Sequence, residues 1–73
     1  MERITVPIDT EYIKLDSLLK LAGAVSTGGE AKILIQDGRV AVNGEICTQR
    51  GKKLYPGDRF RFDNTDYVIT AKE

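Results

Sequence analysis

Arg50, Lys52 and Lys53 fall within four positions of one another in the stretch CTQRGKKLYPGD, residues 47–58. Cations this close repel one another unless an anion or a nearby acid relieves them, so the chemistry they suggest is the binding of phosphates or another polyanion. Upstream, Gly28 and Gly29 open a segment of helical character. Positions without side chains in a first helical turn bare backbone N–H groups beside the positive end of the helix dipole, a favourable place for a phosphate. The same pair also has a purely structural reading, in which glycine permits a tight turn between two helices. No G-K-[ST] follows it and no strand-to-helix unit contains it, so it is not a P-loop. Lys32, four residues beyond Gly28, projects on the same side, and Arg39 follows the end of the segment. Singly, each of these cations reads as a solvated surface group. Together with the helix start they read as one basic surface.

Catalytic chemistry has little to work with. The chain has no histidine, and its single cysteine, Cys47, has neither a base nor a disulfide partner, so it reads as a structural cysteine in a strand. The carboxylates are scattered without acid/base pairing, and Asp16, Glu30 and Asp58 each suit a capping or turn role. No enzyme activity, metal site, cofactor or small-molecule substrate is expected.

The 73 residues allow one domain, here taken as 1–73, with 41% hydrophobic and 30% charged residues, an ordinary globular balance. Apolar runs of no more than three residues and a charged start, MERITVPIDT, predict a cytoplasmic protein with no membrane association. The net charge is zero, but it is unevenly spread. Residues 1–19 and 62–73 are each acidic by two charges, and the middle, residues 20–61, is basic by four. A polyanion would therefore meet the centre of the chain and be repelled by its ends.

The elements that position these residues follow from periodicity. RITV alternates as a half-buried strand, and Pro7 marks it as an edge. Leu15, Leu18, Leu19 and Ala22 line one helical face, with Gly23 as C-terminal cap. Thr27 and Glu30 match a capping box for a second helix, whose apolar face is Ala31, Leu34 and Ile35 and which Gly38 closes. Three residues, Gly23 to Val25, separate the helices and force them to be neighbours. Val40 and Val42 lead to Asn43-Gly44, a type I′ hairpin signal, with Ile46 in the partner strand. Pro56-Gly57 suits a type II turn, Phe60 and Phe62 alternate with Arg59 and Arg61, and Asp63 to Asp66 turn the chain into Tyr67-Val68-Ile69 as a second hairpin. Ile46 and Leu54 are expected to anchor the basic stretch to the core. The predicted class is α+β, two short helices packed on one face of a small, mainly antiparallel sheet.

In order and spacing these pieces resemble the RNA-binding domain named after small-subunit ribosomal protein four, the alpha-L RNA-binding motif. The resemblance rests on Leu15-Asp16 with Leu18-Leu19, Ser26-Thr27 with Glu30-Ala31-Lys32, Gly38-Arg39-Val40, Val42-Asn43-Gly44 and Gly57-Asp58, and covers about residues 14–62. STGGEAK and RGKKL look most like the short bacterial proteins of the YaaA/YbcJ type, which consist of this domain alone.

The resemblance implies a non-catalytic module that docks structured RNA, ribosomal or transfer RNA, through a basic helix-hairpin face. Carried over by position, Ser26, Thr27, Lys32 and Arg39 fall on that face, joined by Gly28, Gly29, Arg50, Lys52 and Lys53. The sequence departs from the family pattern at Gly28, where many members place an arginine or lysine, and backbone amides would substitute there. Phe60, Phe62 and Tyr67 are assigned to the core, so stacking on bases is not expected and recognition by shape and phosphate is. The alternative is a protein-interaction adaptor on a ribonucleoprotein particle, working through the acidic ends or the RITV edge.

Overall fold

The computed structural model describes residues 2–72. Strand β1 (Glu2–Ile8) is followed by the short β2 (Ile13–Lys14) and by two helices, α1 (Leu15–Leu21) and α2 (Gly28–Gln36). The remainder is strand: β3 (Val40–Val42), β4 (Glu45–Ile46), β5 (Lys53–Leu54), β6 (Arg59–Phe62) and β7 (Thr65–Ala71). A five-stranded sheet runs β1-β7-β6-β3-β4, and β2 and β5 form a separate antiparallel ribbon. Within the larger sheet only the pairing of β1 with β7 is parallel. The class is α+β, with a mainly antiparallel sheet.

Alternation decides which side of the sheet is covered. Val6, Ile8, Val40, Val42, Phe60, Tyr67 and Ile69 are buried with Leu15, Leu18 and Leu19 of α1 and Ala31 and Ile35 of α2. Burying each leucine contributes about 1.5–3 kcal/mol, so three from one two-turn helix hold α1 on the core. Phe60 stacks on Tyr67 with centroids 4.4 Å apart.

Both helices end in the same motif. Gly23 N–H donates to the Lys20 carbonyl and Ala24 N–H to that of Leu19, and Gly38 and Arg39 repeat the pattern on Ile35 and Leu34. Each glycine sits at φ +76, the left-handed conformation this cap requires. Because α1 stops at Leu21 and α2 starts at Gly28, with its N-cap Thr27 extended rather than helical, the connection is Ala22 to Thr27, twice the predicted three residues.

The turns follow the dipeptides. Asn43 and Gly44 have φ of +51 and +89, as a type I′ hairpin turn needs. Pro56-Gly57 makes the expected turn, closed by Asp58 N–H to the Tyr55 carbonyl at 2.9 Å, but joins the ribbon to the large sheet instead of joining paired strands. The second hairpin, β6–β7, turns at Asp63-Asn64, both at positive φ, so β7 already begins at Thr65.

RITV lies in an edge strand, as expected. Lys72 N–H donates to the Ile8 carbonyl at 2.7 Å, which turns the peptide groups of Ile8 toward β7. By alternation Pro7 presents its nitrogen to the free edge, where its missing N–H blunts pairing with another chain.

Candidate nucleic-acid interface

Helix α2 positions the first group of candidate residues. Thr27 is its N-cap: the hydroxyl accepts from Glu30 N–H at 3.1 Å. The reciprocal contact is displaced by one residue, since Glu30 Oε1 accepts from Ser26 N–H at 2.9 Å and not from Thr27. This arrangement uses the Thr27 side chain for structure and leaves the Ser26 hydroxyl without a partner among the described residues. It also sets one carboxylate, Glu30, in the first turn, where it neutralises part of the positive helix end.

Gly28 and Gly29 are exposed. Neither has a positive φ, a Cβ on Gly28 would meet nothing within 4 Å, and one on Gly29 would lie 4.0 Å from Thr27 Oγ1. Conformation and packing therefore do not require glycine at either position, and the reading of the pair as a tight-turn device loses its basis. Their N–H groups donate to no protein acceptor among the described residues. Lys32 is exposed one turn farther along, and Arg39 is exposed immediately after the cap at the other end of α2.

The cluster of Arg50, Lys52 and Lys53 belongs to a different place, the start of α1. Lys14, the N-cap of α1, offers no side-chain cap. Instead the Lys52 carbonyl accepts from Leu15 N–H at 2.9 Å and the Arg50 carbonyl from Asp16 N–H at 3.0 Å. The main chain of the basic stretch thus seals the first turn of α1 while its three side chains stay exposed. Leu54 is fully buried and anchors one end of the stretch as expected. Ile46 does not anchor the other: it is 64% exposed, because β4 is a two-residue edge strand, and its methyl lies beside Gly38 at the end of α2.

Three residues not picked out from sequence, Lys14, Tyr12 and Tyr55, join this group. Lys14 is the register partner of Lys53 across the β2–β5 ribbon, and Lys53 Nζ lies 4.7 Å from the centroid of the Tyr12 ring. Tyr55, exposed at 44%, approaches the same ring at 5.9 Å. A pair of accessible tyrosines interleaved with lysines is therefore present, although Phe60 and Tyr67 are buried as predicted. No local pattern signals it, since Tyr12 and Tyr55 meet only through the ribbon.

The β3–β4 hairpin lies between the two groups. With the loop that follows, it forms a concavity of about 450 Å³ lined by Asn43, Glu45, Ile46, Thr48, Gln49 and Lys52. Arg39 precedes this hairpin in the chain, and Lys52, which lines the concavity, follows it. Cys47 is half-buried against the core, its Sγ 3.7 Å from the Gln49 carbonyl.

Residues 6–70 match the S4 domain. The chain belongs to the S4 domain family. It is 47% identical over 53 residues to the probable ribosome maturation protein RlbA of Bacillus subtilis, covering 73% of this chain and 75% of that protein. It is 37% identical over 60 residues to the putative RNA-binding protein YbcJ of Escherichia coli, covering 82% and 86%. The solution structure of YbcJ, described as having an alpha-L motif involved in RNA binding, superposes with a TM-score of 0.68 at 30% identity, covering 97% of this chain and 89% of that one. Within this S4 domain, Asn43 and Asp58 of the motif are structural. Asn43 Oδ1 accepts from Arg59 N–H at 3.0 Å, and Asp58 Oδ2 accepts from Tyr55 N–H at 2.8 Å. Among the described residues no helix is long and apolar enough to cross a membrane.

Proposed function

We propose that this S4 domain is a non-catalytic module that docks structured RNA, and specifically ribosomal RNA during ribosome maturation. The observation that carries the reading is the similarity over most of the chain to YbcJ, named as RNA-binding, and to RlbA, named for ribosome maturation. The interface is the rim from the first turn of α2 through the β3–β4 hairpin to the ribbon. Ser26, Gly28 and Gly29 offer a hydroxyl and two unused amides, Lys32 and Arg39 flank the helix, and Arg50, Lys52 and Lys53 extend the surface. Thr27 contributes by holding that turn in place. Phosphates are bound as point charges and backbone contacts, so affinity depends on salt and little on sequence.

The test is a titration of affinity for purified bacterial ribosomal RNA against salt. Three to five phosphate contacts give a log-log slope of about −2 to −4.5 at roughly 0.7–0.9 per contact. Absence of salt-dependent binding to ribosomal RNA would sink the reading. Transfer RNA bound as tightly under the same salt would replace the proposed target.

A further inference from the structure

The side of the five-stranded sheet turned away from the helices carries cations that the rim does not use. Since Val6, Tyr67, Phe60 and Val42 face the core, alternation turns Arg3, Val68, Arg59, Arg61 and Ala41 to the other side. Register sets them in rows. Arg3 pairs with Asp66, Asp66 with Arg61 and Arg61 with Ala41, and Arg59 lies opposite Val68 in the next row. Arg3, Arg59, Arg61, Asp66, Val68 and Asn43 all line one concavity of about 310 Å³. By sequence Arg3 belongs to the acidic start of the chain, and only the parallel β1–β7 pairing brings it to the two arginines of β6.

We propose that this concavity is a second RNA-contact site, which takes a nucleotide from a strand other than the one on the helix-hairpin rim. The inference rests on the RNA-binding reading and adds a second face to it. Among the described residues, three guanidinium groups and one carboxylate line the concavity. Asp66 is matched to Arg61, Nε to Oδ1 at 3.0 Å. Arg3 and Arg59 have no carboxylate partner among the described residues. Every cation here is arginine, whose planar fork fits phosphate oxygens two at a time and stacks on bases as well, which an ammonium does not. The volume is at the small end of ligand-sized concavities, about 300–1,000 Å³, large enough for more than a bare ion. Val68 and Ala41 floor it with apolar surface on which a ribose or base can lie. Because the helices cover the opposite side of the sheet, a domain bound through both faces would hold two RNA segments together.

The experiment compares the full chain with its R3Q/R59Q variant in the ribosomal RNA salt titration, with urea midpoints measured on both. Arg3 and Arg59 are exposed and outside the core, so the midpoint is expected to stay the same. The expected result is a slope shallower by about 1.4–1.8, the loss of two phosphate contacts. If the unaltered chain binds with salt dependence and the variant has the same slope, the second site is overturned while the RNA-binding reading stands. If the unaltered chain shows no such binding, the RNA-binding reading itself fails. Polyglutamate retained by the unaltered chain and lost by the variant, with the RNA slope unchanged, would assign the face to an acidic protein and overturn the proposal.

Discussion

Asn43 and Asp58, 15 residues apart in sequence, meet across the junction of the two hairpins, with Asn43 Nδ2 3.4 Å from Asp58 Oδ1. The same asparagine caps the Arg59 N–H, and the same aspartate caps Tyr55, so one small network ties the β3–β4 turn to the Pro56-Gly57 turn. The network gives Val-Asn-Gly and Gly-Asp a structural role that needs neither Asn43 nor Asp58 to touch a ligand.

Replacing Asn43 removes both hydrogen bonds and places another side chain at φ +51. Asn43→Ala is expected to destabilise the domain by about 2–5 kcal/mol, from two lost hydrogen bonds at about 0.5–1.5 kcal/mol each and backbone strain of about 1–2 kcal/mol. Asn43→Gly relieves the strain and keeps only the hydrogen-bond loss, so it should fall between the alanine variant and the parent in urea denaturation. Equal losses in both variants would show that the turn conformation contributes nothing.

The basic cluster allows a separation of charge from scaffold. Its carbonyls cap α1, and a side-chain substitution leaves those carbonyls in place. Arg50→Ala, Lys52→Ala and Lys53→Ala together should therefore flatten the RNA salt slope by about 2.1–2.7 while costing little stability. The largest structural loss expected is the exposed contact of Lys53 with Tyr12, about 0.5–1 kcal/mol. An unchanged slope would remove the cluster from the interface.

The chain has no tryptophan, and Tyr67 is buried against Phe60, which makes Tyr12 and Tyr55 the accessible tyrosine fluorophores. If an unpaired base stacks on the ribbon, RNA should quench tyrosine emission, and Tyr55→Leu should remove most of that quenching with a loss of about 1–3 kcal/mol in binding. Retention of full affinity by this variant would confine the ribbon to phosphate contacts.

Much of the fold is legible locally. The spacing of Leu15, Leu18 and Leu19, the Thr27 cap, the caps at Gly23 and Gly38 and the Asn43-Gly44 turn each follow from a few neighbouring residues. The remainder depends on partners far along the chain. The β2–β5 ribbon has two residues per strand, too few for any period, and the cap of α1 comes from carbonyls some 35 positions away. Ile46 looks like an anchor by hydrophobicity, yet it pairs with Ala41, on the side of the sheet turned away from the helices. For the same reason the sequence supplies the types of the candidate site residues and not their grouping. Lys14, Tyr12 and Tyr55 join the basic cluster, and Arg3 joins Arg59 and Arg61, only through strand pairing.

Gly28 and Gly38 offer opposite tests of what glycine does in this domain. Gly38 holds φ +76, so Gly38→Ala is expected to cost about 1–2 kcal/mol whatever the space around it. Gly28 and Gly29 have no positive φ and open surroundings, so Gly28→Ala with Gly29→Ala should stabilise α2, by at most about 1 kcal/mol per position, through reduced freedom of the unfolded chain. Folding alone would favour the alanines. If a phosphate approaches the bare amides of that turn, the added methyl groups stand in its path, and RNA affinity should fall as stability rises. Measuring the urea midpoint and the RNA dissociation constant on the same double variant gives two signs to compare. A rise in stability with unchanged affinity would leave Lys32 and Arg39 as the contacts of α2 and remove the glycine pair from the interface.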